Sequence, residues 1–468
     1  MITSTGIAHW VEATQPRPKP RRIPRANETL RRLFWLYFWL LIGEGILRKW
    51  VVPSLATPLL LIRDPIPLAV LWIGIRDRVF PRTVGVYVWA TLALACVIAG
   101  FFVLPNTPFV VLYGFRCDFL HFTMLLAAPI VFESADIDRM IRAIIYVSVP
   151  IALLMAWQFH SPNESWINSG IDNTFKQIDS AKGHIRPPGP FSFISGPASF
   201  CALLAAVLTG AAVDRRRIAR PLLWVGSGAL IVAALYSASR GLVGSVAIVI
   251  ATGLLGALAC NVRVFGRYVV IVFTLGLVAF FIGSSSMMED TVDVFSTRIS
   301  NAAGGEELGG LHGMIDRTFG DYAQVVPAIR GAPFAGNGLG KGTNAGAWAL
   351  TGKSVFLLAE SEWPRVVLES GPVLGLLFIA FRLGLVIWLG WRALQSVRRG
   401  SVLAACLFGA CGADVAAGQF GQTTILGFAM LTAGLCLSAT ESRNESVAGV
   451  ATDHQPLPGA REESPAPA

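Results

Sequence analysis

Residues 224–260 read WVGSGALIVAALYSASRGLVGSVAIVIATGLLGALAC and contain a single charged residue, Arg240. Two apolar runs, 221–237 and 241–259, flank a short Ser-Ala-Ser-Arg-Gly turn. Each run approaches the roughly 20 apolar residues that span a bilayer. Basic clusters bracket the pair, RRRIAR at 215–220 and NVRVFGR at 261–267. Short cytoplasmic loops of membrane proteins are enriched in Lys and Arg. Two crossings bring the chain back to the side it left, so both clusters fall inside and Arg240 falls at the outer turn. An arginine at the bilayer centre costs roughly 2.5 kcal/mol or more, and the cost falls towards the surface.

The same pattern extends along the chain. Candidate spans lie at 33–50, 55–75, 84–104, 109–132, 141–159, 192–213, 221–237, 241–259, 268–283, 363–391, 401–417 and 422–439. The second is interrupted by Arg63-Asp64-Pro65. The predicted fold is all-α, a polytopic transmembrane helix bundle of about 12 spans. With the N-terminus inside, the loops RDRVFPR (76–82), DIDRMIR (136–142), RRRIAR, NVRVFGR and RALQSVRRG (392–400) all fall on the cytoplasmic face. Both termini are then cytoplasmic.

Composition excludes the ordinary soluble class, since 54% of residues are hydrophobic and only 14% charged. The net charge of +9 is a topology stripe facing lipid headgroups, and no nucleic-acid partner is implied. The seven cysteines lie in or beside apolar runs. They lack metal-site spacing and read as small apolar packing residues. Residues 1–32 read as a disordered basic tail with no cleavable signal peptide, and 441–468 as a second disordered tail. The transmembrane domain is then 33–440. A large external loop, 284–362, separates the ninth and tenth spans. Ile315, Phe319, Tyr322, Val326 and Ile329 give part of it helical periodicity.

On the outer face Arg240 has two readings. It is an interfacial arginine that snorkels to lipid phosphate, or it offers its planar fork to an anionic ligand. Three further stretches share that face: HIRPPGPFSFISGPASF (184–200), RGAPFAGNGLGKGTN (330–344) and AESEWPRVVLESGPVLG (359–375). The last is also explained by helix capping, with Ser361 as N-cap, Pro364 in the first turn and local ion pairs among Glu362, Arg365 and Glu369. The glycine-rich stretch fails as a P-loop because Ala335 and Gly342 stand at required positions, and Lys341 breaks the dinucleotide pattern. Glu44 with Arg48, Arg116 with Asp118, and Arg382 are charges inside spans. Ligand handling and bundle-holding ion pairs explain them equally well.

Together the outer stretches resemble the bacterial O-antigen ligase and polymerase superfamily. An Arg precedes a Gly/Pro-containing approach to a span (Arg186, Gly189, Gly196-Pro197). A Ser-x-Ser-Arg-Gly turn follows (Ser237 to Gly241). A long external loop ends in Pro-x-x-Gly-x-Gly-x-Gly (Pro333, Gly336, Gly338, Gly340). The start of the next span carries Glu-x-Gly-x-x-x-Gly (Glu369, Gly371, Gly375). The likeness covers about residues 186–380. The family often carries His-Asn nine residues before that glutamate, where this chain has Glu360 and Ser361.

The resemblance implies a membrane-embedded glycosyltransferase of the bacterial inner membrane that works without a metal ion or other cofactor. Its donor is a polyprenyl-diphosphate-linked oligosaccharide, and its acceptor a glycan or a lipid. Membrane lipids and other polysaccharide-assembly proteins are its expected company. Arg186 and Arg240 are the first candidates for the donor diphosphate, with Arg330, Arg317 and Lys341 behind them. Glu360 is the candidate general base and Glu362 the alternate. Gly241, Gly336, Gly338 and Gly340 are the turn glycines. His184 and His312 read as ordinary loop histidines, and Trp348 and Trp363 as interfacial anchors or sugar-stacking rings. The altered His-Asn position tilts the expectation towards a polymerase. Two other classes compete. A secondary transporter or flippase of lipid-linked sugars should show repeat symmetry and polar residues along a midplane path. A non-catalytic assembly partner should tolerate loss of Arg240 and Glu360.

Overall fold

The computed structural model describes residues 24–103, 106–171, 184–237, 239–284, 323–353 and 355–452. Among them the chain is helical and forms no sheet. Arg317, His312 and the rest of 285–322 within the 284–362 loop, including Ile315, Phe319 and Tyr322, lie outside the described residues.

Helix α1 spans Pro24–Ile46 and passes into a π-helical turn, Leu47–Val51. It begins well before the apolar run, so Arg31 and Arg32, expected in a disordered tail, are helical. The second expected span is not continuous. A one-turn helix, Ala56–Leu59, is followed by turns through Arg63-Asp64, and α2 covers only Pro65–Arg76. Pro65 and Pro67 start α2 where their missing amides cost nothing. At about 1.5 Å per residue α2 is shorter than a hydrocarbon core. Next come α3 (Val84–Phe102), α4 (Pro108–Phe115), a π segment (Arg116–Leu120), α5 (Phe122–Val131) and α6 (Ser134–His160). After them come α7 (Ser195–Val213), α8 (Arg220–Tyr236), α9 (Arg240–Cys260) and α10 (Val262–Gly283). Two short helices, α11 (Val325–Gly331) and α12 (Asn344–Thr351), precede α13 (Glu362–Arg398), α14 (Leu403–Ala417) and α15 (Thr423–Thr452). The last helix runs past the expected boundary at 440.

Among the described residues eight helical segments are long and apolar enough to cross a membrane: α3, α4–α5 together, α6, α7, α9, α10, α13 and α15. The helices α2, α8 and α14 are apolar but shorter. Most of α7 and of residues 423–440 in α15 is buried, whereas α3, α9 and α10 turn large apolar side chains outward, such as Leu94, Phe101, Leu255 and Phe273. An apolar exterior around a packed interior is what a lipid-facing bundle needs. Small residues let the inner helices approach closely. Gly210 faces Leu403, Gly434 faces Ala128 and Gly256 faces Ala405. Six of the seven cysteines are buried and all seven are free thiols.

The basic loops gather at one end of the bundle. Arg216 binds Asp138 at 2.7 Å, Arg267 donates to the Val213 carbonyl, and Arg142 donates to the Arg217 carbonyl. Asp214 caps α14, accepting from Ser401 and from the amides of Val402 and Leu403. Arg31 approaches Asp136 and Arg392 pairs with Glu441. The candidate site residues that are described lie at the opposite end.

Candidate functional site

The site is built around a break in α13. Gly371 has φ +80° and ψ 166°, a conformation essentially reserved for glycine. Pro372 follows, and without an amide it cannot bond the Leu368 carbonyl one turn earlier. The freed carbonyls need donors, and the glycine-rich turn supplies them. The Leu368 carbonyl accepts from the Asn337 backbone amide (2.8 Å) and side chain (2.9 Å), and the Glu369 carbonyl accepts from the Gly338 amide (3.0 Å). The Glu369 carboxylate then enters the turn, accepting from the amides of Gly340 (2.9 Å) and Gly342 (2.8 Å). Successive backbone amides of this kind form an anion nest. The expected turn glycines Gly336, Gly338 and Gly340 all have positive φ, between +76° and +112°. A methyl at Gly340 would sit 2.1 Å from the Val110 carbonyl oxygen, which also fixes the turn against α4. Gly241 differs from them. It lies in the first turn of α9 without a positive φ, and a methyl there would meet only the Ser239 hydroxyl, at an ordinary 3.7 Å. The helix start, capped by Ser239 accepting from the Leu242 amide, makes the turn that Gly241 was expected to make.

Two buried ion networks flank this unit. In the first, Arg365 binds Asp118 (2.7 Å), Glu362 (3.0 Å) and Glu369 (2.9 Å). Arg382 binds Glu362 at 2.7 Å and also donates to the carbonyls of Val415 (2.8 Å) and Gly418 (2.9 Å), closing the C-terminus of α14. In the second, Glu44 accepts from Arg63 (2.7 Å) and Arg48 (3.2 Å). Asp64 binds Arg116 (2.8 Å) and His121 (3.2 Å), and the other His121 nitrogen meets the Tyr37 hydroxyl at 2.7 Å. A neutral His121 with its proton on Nε2 satisfies both contacts. The π segment feeds both networks, sending Arg116 to one and Asp118 to the other. The span charges weighed above as ligand-handling or structural are thus all held in pairs. The local pairs of Glu362, Arg365 and Glu369 also form as the spacing predicts.

The candidate residues fall into two groups. Glu362 is buried and its carboxylate is engaged by two arginines, so a free base is not presented there. Glu360 is exposed, and among the described residues its backbone carbonyl accepts from Gln419 at 3.0 Å while its carboxylate makes no ion pair. Arg240 is part-buried at the start of α9, and Arg186 is part-buried in the segment leading to α7. Arg330 is exposed at the end of α11. Lys341 is part-buried in the glycine-rich turn, and burial pulls its ammonium below the usual lysine value. Trp363 donates to the Ala416 carbonyl (3.0 Å), and Trp348 is exposed.

Contacts, most of them through intermediate residues, link the four stretches singled out in the sequence. His184 stacks on Phe159 with ring centroids 4.3 Å apart, and Phe159 packs on Tyr236 just before the Arg240 turn. Ser195 donates to Gln422 (2.9 Å), Gln422 donates to Gln419, and Gln419 donates to the Glu360 carbonyl. The nest ties 333–343 to 359–375. Sequence reasoning missed Lys49, which is buried and donates to the Gly189 carbonyl at 2.8 Å, beside Arg48 bound to Ser192. It also missed the nest. The signal for the nest was present, a glycine-rich turn and a Glu-x-Gly-Pro break that each need what the other offers.

No protein-family model and no curated protein matches the chain. Its class is therefore stated from its own architecture: a helical protein with apolar helices able to cross a membrane and a dense polar cluster at one end.

Proposed function

We propose that the chain is a membrane glycosyltransferase of the O-antigen polymerase and ligase type, taking a glycan from a polyprenyl diphosphate at the outer face of the bacterial inner membrane. The observation that supports this most is the convergence of 184–200, 237–241, 333–343 and 359–375 at the end of the bundle opposite the basic loops. In this reading about 12 crossings put the basic end in the cytoplasm, and α2 completes its crossing through the broken segment before it.

The chemistry follows from the exposed and part-buried groups. Breaking the sugar–phosphate bond leaves an anionic diphosphate at headgroup depth. Arg186 and Arg240 stabilise that developing charge, and Lys341 adds a point charge. Glu360, exposed and with its carboxylate outside the ion networks, takes the proton of the acceptor hydroxyl. Glu362 holds Arg365 and Arg382 and so positions the start of α13. The donor would meet the arginines and Lys341, while the nest stays occupied by Glu369.

Deleting the gene in its host and profiling the lipid-linked glycans by mass spectrometry tests this. Accumulated single repeat units, cleared by wild type but not by Arg240→Ala, identify a polymerase. Accumulated long chains identify a ligase. An unchanged outer-face pool contradicts both and returns transport of lipid-linked sugars to the front.

A further inference from the structure

A cavity of about 130 Å³ lies between α7, α9, α14 and the start of α15. Its polar lining is Ser195, Ser199, Ser245 and Asp414, and the rest is alanine, glycine and isoleucine. The three hydroxyl protons are already committed. Ser195 donates to the Gln422 side chain (2.9 Å), Ser199 to the Asp414 carboxylate (3.3 Å) and Ser245 to the Gly241 carbonyl (2.9 Å). What remains for the cavity is lone pairs and a carboxylate, which is an acceptor-only surface. Asp414 has no ion pair among the described residues. The neighbouring cation, Arg382, contacts the Asp414 backbone carbonyl (3.2 Å), and its other donors go to Val415, Gly418 and Glu362. A carboxylate in an apolar helix bundle needs a countercharge or a proton.

We propose that this cavity binds a sodium ion, held by the Asp414 carboxylate and the hydroxyl oxygens of Ser195, Ser199 and Ser245. Hard oxygen donors select a hard cation. A single carboxylate balances a single positive charge. The volume admits a small ion with a few waters, each occupying about 30 Å³. Among the described residues no group of histidines, cysteines and acids could hold a metal ion, whereas sodium is served by hydroxyls and one acid. The ion would brace α7, α9 and α14 against each other. This inference does not depend on the glycosyl-transfer reading.

The test compares melting of the detergent-purified full chain in sodium chloride, potassium chloride and N-methylglucamine chloride at equal ionic strength. Wild type should gain several degrees with sodium, saturably, and less with potassium. Asp414→Asn should lose the response, and Ser245→Ala should need a severalfold higher sodium concentration. Equal melting in all three salts overturns the proposal, as does a full sodium response in Asp414→Asn. Melting that changes with pH but not with sodium also overturns it, and marks Asp414 as a carboxylic acid that keeps its proton. If Asp414→Asn does not fold, radiolabelled sodium decides. One bound ion per wild-type chain, weakened in Ser245→Ala, sustains the site; no binding removes it.

Discussion

Arginine does opposite jobs at the two ends of this bundle. At the basic end the paired side chains keep more contact with solvent: Arg139 is 52% exposed in its pair with Asp136, Arg392 27% in its pair with Glu441 and Arg216 13% in its pair with Asp138. At the site end Arg63 and Arg382 are wholly buried, and Arg116 and Arg365 are each 4% exposed. Water solvates the first set, so each pair contributes little. The second set has lost its water, and each guanidinium must find protein oxygens instead. This explains why carboxylates and helix-end carbonyls converge there and why the chain breaks its helices at 47–51, 60–64, 116–120 and 371. Broken helices and helix ends expose carbonyls: Arg116 takes that of Leu60 and Arg382 those of Val415 and Gly418, while those freed at Gly371 go to Asn337 and Gly338.

The largest loss is expected at Arg365. Arg365→Met should leave Asp118, Glu362 and Glu369 short of a partner and cost about 3–5 kcal/mol. Little monodisperse protein should survive detergent extraction, read by size-exclusion chromatography. A yield and melting point equal to wild type would mean that the buried network is not what holds this end. Next in size is the nest. Gly371→Ala forces a side chain into a glycine-only conformation and against the Phe334 carbonyl, 2.1 Å from the added carbon. A loss of about 1–3 kcal/mol is expected, measured as a fall in melting temperature. Gly241→Ala, with ordinary φ and only an ordinary 3.7 Å contact to the Ser239 hydroxyl, should be nearly neutral in the same assay. Arg139→Ala at the basic end should lose less than about 1 kcal/mol, and less still in high salt. A larger loss there would erase the contrast between the ends.

The helices were legible because apolar runs and basic loops leave strong marks in a sequence. Where a run is unbroken, as in α3, α6, α9 and α10, expectation and structure agree to within several residues. They part where local rules compete. Arg63-Asp64-Pro65 marked the weak second span, but the depth of the break depends on Glu44 and Arg116, which lie far away in sequence. The N-terminal basic stretch looked like a tail because charge outweighed helix propensity, yet α1 starts at Pro24 and buries Leu30. The site was legible as motifs but not as contacts. The spacing in AESEWPR announces the Glu362–Arg365 pair, but the second partner, Arg382, and the exposure of Glu360 come only from the fold. The cavity beside Asp414 joins three helices and the start of a fourth, and no local pattern announces it.

In the proposed function Arg240 and Glu360 act on a lipid-linked glycan while the buried arginines hold the fold. Purified wild type, Arg240→Ala and Glu360→Gln would be reconstituted in liposomes with a polyprenyl-diphosphate oligosaccharide. Product length and released polyprenyl diphosphate would be followed by mass spectrometry, with melting measured in parallel. Glycan transfer by wild type, lost by at least tenfold in both variants at unchanged melting temperature, is the predicted result. Undiminished transfer in both variants, or the absence of transfer by well-folded wild type supplied with donor and acceptor, would contradict it.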